Sequence, residues 1–126
     1  TFQLHQPFFR DEAKRLNLPE ARYLAPDDRL AIGMVFFMDA DASRRESARS
    51  LLMQTLAGGP VQVLGWRVVP TNPDILPEEA RECLPAIEQL LLRVEPGTDE
   101  VALERWLYNR RLELRQKFRA AGLACY

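Results

Sequence analysis

The sequence predicts an α+β fold in which helices pack on a small mixed β-sheet. Three observations carry that prediction. Leu30-Ala31-Ile32-Gly33-Met34-Val35-Phe36-Phe37 is a continuous apolar run of strand length, the pattern of a strand covered on both faces. A strand, a helical stretch and a second strand succeed one another between residues 30 and 70, a unit that implies a right-handed crossover joining adjacent parallel strands. Leu103, Trp106, Leu107, Arg110, Leu114 and Phe118 recur three or four residues apart, as on one face of a long helix.

Taken in order, Thr1-Phe2-Gln3-Leu4 alternates like the tail of a strand. Pro7 suits a first helical turn, where its missing N–H is no loss, and Phe9, Ala13 and Leu16 then share a face. Two prolines, Pro19 and Pro26, make the following stretch a connector. After the first strand, Asp39 and Asp41 are candidate N-caps for a helix. It turns Ala48, Leu51, Leu52 and Leu56 inward and Arg44, Arg45 and Arg49 outward, and Gly58-Gly59 ends it. The second strand, Val61 to Val69, places Gly65, Trp66 and Arg67 side by side within an aliphatic run and stops at Pro70. Thr71-Asn72-Pro73-Asp74 is a turn, and Pro77 to Arg81 a short helix with acids at its positive end. Residues 86–94 compete between helix, from their leucine and glutamate content, and strand; Pro85 and Pro96-Gly97 confine them to strand length. Thr98 is the expected cap of the last helix, with Glu113 and Lys117 a favourable outward pair. Leu123 to Tyr126 again has the pattern of a strand beginning, so the expectation is a single domain over residues 1–126 that is an internal segment of something larger.

Composition excludes several classes. Seventeen basic and eighteen acidic residues give a net charge of -1, so no global field draws the chain to nucleic acid or anionic lipid. No apolar run approaches the roughly 20 residues of a membrane-spanning helix. Cys83 and Cys125 lie far apart without metal spacing and are read as reduced thiols of a cytoplasmic protein, a disulfide being the alternative. The lone His5 supplies no metal site. Gly58-Gly59-Pro60 lacks the spacing and lysine of a phosphate loop. Asp27-Asp28, Glu78-Glu79 and Asp99-Glu100 fall at turns and helix starts, where the helix dipole explains them. Arg105, Arg110, Arg111, Arg115, Lys117 and Arg119 make the last helix locally basic. That face is expected to be solvated or to pair with acids of a neighbouring domain, with nucleic-acid contact as the alternative. The residues alone therefore describe an α/β piece without a self-contained active site.

Gly65-Trp66-Arg67-Val68-Val69-Pro70 resembles the Gly-Trp-Arg-x-Val-Pro motif of the class II glutamine amidotransferase domain of glutamate synthase large subunits. Pro7-Phe8-Phe9-Arg10, Ala31-Ile32-Gly33-Met34-Val35-Phe36-Phe37, Leu84-Pro85-Ala86-Ile87-Glu88-Gln89 and Leu103-Glu104-Arg105-Trp106-Leu107-Tyr108-Asn109-Arg110-Arg111 resemble further motifs of that domain in the same order. One departure stands at Ile75-Leu76-Pro77, where the family carries Leu-Gly. The resemblance implies a segment of a four-layer αββα amidotransferase domain of the N-terminal-nucleophile hydrolase type. In that family an N-terminal cysteine attacks glutamine with its own α-amino group as base. An arginine and an aspartate hold the substrate, and an asparagine–glycine pair forms the oxyanion hole. All of these are expected outside residues 1–126, so no catalytic, substrate-binding or metal residue is carried over. The parent enzyme implied would use the released ammonia to make glutamate from 2-oxoglutarate, with FMN and an iron–sulfur cluster on other domains. No cofactor, nucleic acid or membrane is expected for the chain itself, whose partners would be the rest of the amidotransferase and synthase domains. The alternative is a stand-alone, non-catalytic interaction module derived from the same domain. Gly65, Trp66, Arg67 and Pro70 are expected to form a structural motif: Gly65 for close backbone approach, Trp66 as a packing anchor, and Arg67 as a forked donor to loop carbonyls or a carboxylate.

Overall fold

Helix α1 spans Gln6–Arg15 in the computed structural model, which describes residues 4–126. The strand tail expected over residues 1–4 falls mostly outside that range. His5 caps α1: its Nδ1 accepts the Phe8 N–H at 3.1 Å, satisfying one of the donors that a helix start leaves unpaired. Ala13 on α1 is fully buried, and Phe9 packs beside it. The connector then makes a short 3₁₀ turn over Pro19–Tyr23, with Pro19 at its start.

Three strands form the sheet: β1 (Leu30–Phe37), β2 (Val61–Val68) and β3 (Ala86–Val94). Their order is β1-β3-β2, and both pairings are antiparallel. The α+β class is as expected, but the sheet is not mixed, and β1 and β2 are not neighbours. They run in the same direction with β3 inserted between them. The reason lies in β3 itself, which buries Leu90, Leu92 and Val94 on one face and Leu91 on the other. A strand apolar on both faces is most stable where both its edges are hydrogen-bonded and both its faces covered. Helix α2 (Ala42–Leu56) makes the connection from β1 to β2. Strands sit about 4.8 Å apart, so a helix roughly 10 Å across bridges the gap left for β3.

Helices α2 and α4 (Glu100–Ala120) cover one face of the sheet. Ala48, Leu52 and Leu56 of α2 join Phe118 of α4, Val35, Phe37, Leu90 and Leu92 in the larger core. Helix α1 and the 3₁₀ turn cover part of the other face, where Ala13, Ala21, Leu30, Leu64 and Leu91 form a second core. Asp41 caps α2 through the Ser43 N–H at 2.7 Å. Gly58, in the left-handed region at φ 75°, follows its end. Gly59 leaves room for the Trp106 indole, because a Cβ there would fall 1.9 Å from a ring carbon. Short α3 (Glu78–Arg81) follows Pro77. The cap of α4 is Asp99, not Thr98: Asp99 accepts the Ala102 N–H at 2.9 Å, while the Thr98 hydroxyl turns back to the Glu95 carbonyl at 2.7 Å.

The outer edge of β1 is closed at both ends by chain from elsewhere. The Gln6 side-chain amide exchanges two 2.9 Å hydrogen bonds with the backbone of Leu30, as a neighbouring strand would. At the other end Phe36 exchanges backbone hydrogen bonds with Tyr126 at 2.8 and 3.1 Å. Phe37 and Cys125 form an antiparallel bridge, so the beginning of a strand expected at residues 123–126 is present. Asp39 holds this segment by accepting from Arg44 at 3.0 Å and from the Ala124 N–H at 3.1 Å.

Gly65 is the backbone position on which β2 turns, with φ at 154° and only 2.8 Å between an added Cβ and Leu18 Cδ2. Gly65→Ala is therefore expected to destabilise the fold by roughly 1–3 kcal/mol. The measurement is a urea transition, whose midpoint should fall while its slope is kept.

Candidate functional site

The strand β2 starts with ordinary alternation, Val61 and Val63 packing toward α2 and α4. Its register then slips. Val63 pairs with Leu92 and Gly65 with Leu91, which leaves Leu64 as an extra residue without a partner across the ladder. Such a bulge inverts every later side chain, because alternation in a strand has a period of two. Leu64 enters the core beneath α1, and Trp66 faces α2 and α4 with Val61 and Val63. Arg67 faces α1. Unbulged, Trp66 and Arg67 would occupy each other's sides.

On the α2 side the Trp66 ring lies 6.2 Å from Phe37 at 48°. The Arg49 guanidinium covers both rings, 5.2 Å above Phe37 and 5.8 Å above Trp66. It forks onto Glu88, donating Nε–H to Oε2 at 2.9 Å and Nη2–H to Oε1, and it reaches Glu46 through Nη1 at 2.9 Å. Glu88 is buried on β3 in line with Leu90 and Leu92. A buried carboxylate needs such a fork, since desolvation costs several kcal/mol if it is left unpaired. Arg49, expected to point outward, instead turns down onto the sheet to meet it.

On the α1 side Arg67 and its partner Glu12 are equally enclosed, each side chain 13% exposed. Arg67 donates Nε–H to Glu12 Oε2 at 2.6 Å and Nη1–H to Gln89 Oε1 at 2.8 Å, with its guanidinium 5.6 Å over the Phe8 ring. Hydrogen bonds from Arg15, then from Arg67, hold the Glu12 carboxyl down at about 2. An ion pair with Arg93 ties the connector to β3. Asp28, buried on the sheet margin, accepts the Ala25 N–H at 2.7 Å and an Arg93 N–H at 3.1 Å. The expectation that a helix dipole accounts for Asp28 is corrected: the Ala25 N–H and the Arg93 guanidinium hold it. Arg10 completes this corner by donating to the Ala25 and Asp28 carbonyls.

Gly65, Trp66 and Arg67 are thus contiguous in the chain but serve opposite faces of the sheet. Pro70 is exposed beyond the end of β2, after Val69 has donated the last backbone hydrogen bond to Ile87 at 3.0 Å. Arg49, Glu88, Glu12 and Gln89 complete the arrangement. Glu88 carried a signal in the sequence, a carboxylate on the side of β3 otherwise filled by Leu90, Leu92 and Val94. All three nitrogens of Arg49 and two of the three of Arg67 are hydrogen-bonded to groups of the chain itself, so the arrangement fastens helices to a sheet. The thiols are elsewhere. Cys83 is exposed after α3; Cys125 is buried in the larger core, and its pKa is pushed up to about 11 by desolvation. A thiol so raised is a poor nucleophile near neutral pH. Among the described residues no cluster of three or more His, Cys, Asp and Glu side chains could hold a metal ion, and no helix is long and apolar enough to cross a membrane.

The family model for class II glutamine amidotransferases matches residues 1–124, and the chain belongs to that family. Within it, the chain is 33% identical over 110 residues to the glutamate synthase (NADPH) large chain of Azospirillum brasilense, an alignment covering 86% of this chain and 7% of that one. It is 38% identical over 101 residues to ferredoxin-dependent glutamate synthase 2 of a Synechocystis species, covering 79% of this chain and 6% of the relative. The glutamate synthase (NADPH) large chain of Bacillus subtilis is 33% identical over 107 residues, 84% and 7% of the two chains. The chain thus spans less than a tenth of the length of these curated relatives.

The two forks separate experimentally. Arg49→Met leaves Glu88 buried without its cation. It should cost roughly 2–3 kcal/mol, below the value for a fully enclosed pair because Arg49 is partly exposed. Arg49→Met combined with Glu88→Leu should recover most of that loss in the same urea titration. The Glu12 cluster has an acid signature instead. Its folded pKa of about 2 lies below the unfolded value of 4.5, so its stabilisation is complete above that value and is lost as pH falls toward 2. Arg15→Gln with Arg67→Gln should flatten this acid limb in a Tm-against-pH series. The thiols differ by access: iodoacetamide near neutral pH should modify Cys83 in the native chain and Cys125 only after unfolding, scored by peptide mass.

Proposed function

We propose that this chain is a buttressing segment of the glutaminase domain of a glutamate synthase. The parent enzyme would hydrolyse glutamine and use the ammonia to aminate 2-oxoglutarate to glutamate in the cytoplasm. The observation that carries this reading is the closure of both arginine forks. Arg67 is spent on Glu12 and Gln89, and Arg49 on Glu88 and Glu46. Arg49 has all three nitrogens engaged and Arg67 two of three, so both guanidiniums are committed to pinning helices to the sheet. The motif Gly65-Trp66-Arg67 then serves the domain through rigidity.

In this reading the cysteine nucleophile, its α-amino base and the oxyanion-hole donors belong to polypeptide outside Thr1–Tyr126. The sheet described above forms one layer of the four-layer domain. FMN and an iron–sulfur cluster belong to other domains of the parent; the single exposed thiol and the single buried one of this chain do not supply a cluster's ligand set. The rest of that enzyme is the partner of this chain, and glutamine is the substrate of the whole.

A glutaminase assay tests the assignment. The isolated 126-residue chain should release no ammonia from glutamine, whereas the polypeptide encoded by the complete gene should do so. Turnover by the isolated chain that disappears with Cys83→Ala or Cys125→Ala would overturn the scaffold reading. A complete gene ending within a few codons of this sequence, with no cysteine-initiated region before it, would favour the stand-alone module.

A further inference from the structure

Helix α4 carries two faces. Leu103, Trp106, Leu107, Leu114 and Phe118 turn to the core. Diametrically opposite lies a second stripe of Val101, Arg105, Tyr108, Leu112, Arg115 and Arg119. At 100° per residue these six stay within a narrow band, running about 27 Å along the helix. Their spacing is four, three, four, three and four residues, the repeat that keeps a seam aligned with a second helix. Its apolar members stand out in water, Val101 at 63%, Tyr108 at 58% and Leu112 at 42% exposure.

Not every cation of α4 has an acid partner. Arg110 and Lys117, on the side toward the body of the protein, share Glu113 at 2.7 Å each. Arg105, Arg115 and Arg119 have no acid three or four residues away on the helix. Among the described residues none of the three makes an ion pair. A stripe that alternates apolar side chains with unpaired guanidiniums fits a helix bearing apolar residues and carboxylates at matching spacing. A second copy of the chain is a poor occupant. Parallel packing would set each arginine against itself, and antiparallel packing centred between Tyr108 and Leu112 would set Arg105 against Arg115. Double-stranded nucleic acid offers phosphates but nothing for Val101 and Leu112 to pack on.

We propose that the outer stripe of α4 docks an acidic amphipathic helix from another part of the same parent polypeptide. This rests on the parent-enzyme reading above and adds to it the interdomain seat. Over nine-tenths of each relative described above lies outside the aligned segment, so the intramolecular source is at hand at high effective concentration.

The test uses the polypeptide encoded by the complete gene, carrying Arg105→Lys and Arg115→Lys so that a carbodiimide can join a stripe amine to a contacting carboxylate. Intact mass comes first. A mature protein no longer than this chain removes the parent reading, and the proposal with it. With a longer protein, the expected product is an amide linking position 105 or 115 to an Asp or Glu outside residues 1–126 of the same molecule. In addition, the native Tyr108 ring should be labelled by hydroxyl radicals several-fold more slowly than in the urea-unfolded protein. Cross-links between two copies, cross-links to a different protein, or no cross-link with Tyr108 labelled as fast as when unfolded would each overturn the docking proposal and leave the parent reading standing.

Discussion

One surplus residue in β2 decides where the charges of this protein go. Leu64 has no partner across the ladder, and every side chain after it lies on the face opposite to the one simple alternation assigns. Gly65 makes that slip possible. Its φ of 154° is open to glycine, and its missing Cβ leaves the space that Leu18 fills. From this follow the tilted contact of Trp66 with Phe37 and the reach of Arg67 to Glu12. Regular pairing would send Arg67 toward Phe37 and Trp106, where Glu88 is already committed to Arg49, and would put an indole where Glu12 and Gln89 need a donor.

The two forks are alike in geometry and unlike in physics. Glu88 is enclosed by the larger core, so its pairing with Arg49 mainly offsets the cost of burying a carboxylate. Removing both partners is then milder than removing one. The two aromatic rings under Arg49 add a cation–π contact that helps retain the guanidinium at the sheet surface. Glu12 sits on the rim of α1 with two arginines around it. There the ionised carboxylate is favoured outright, which is why its titration is displaced so far. The first fork fastens α2 to β3 and the second fastens α1 to β2, one on each side of the sheet.

The helices and strands were legible because their apolar periods and punctuation agree. Pro7, Gly58, Pro85 and Pro96 stand where elements begin or end. Strand order was not legible, since an apolar run reports burial and leaves neighbours open, and the crossover rule for β-α-β assumed adjacency that β3 interrupts. The bulge was hidden for a related reason. Val63, Leu64, Gly65 and Trp66 are all apolar or small, so a slip among them leaves no break in pattern. Close approach at Gly65 and packing at Trp66 could be anticipated from residue type alone. Arg49 could not, because it lies on the margin of the α2 stripe and its inward turn depends on a glutamate 39 residues away. Asp28 looked like a turn residue by its neighbours and is a buried ion-pair partner by its three-dimensional setting.

A net charge of -1 conceals a partition that bears on what this segment does. Near the sheet, guanidiniums and carboxylates are matched one against another, and the matched groups lock α1, α2 and the connector onto the strands. A body held in this way keeps its shape without help from a ligand. Three cations without a local acid, Arg105, Arg115 and Arg119, lie instead on the far side of α4, interleaved with exposed Val101, Tyr108 and Leu112. Arginine retained on a helix without a local acid contributes little to that helix's own stability, and exposed apolar neighbours contribute less. On the docking proposal their common spacing answers to a helix beyond the segment, while the ion pairs at the sheet serve the fold of the chain itself.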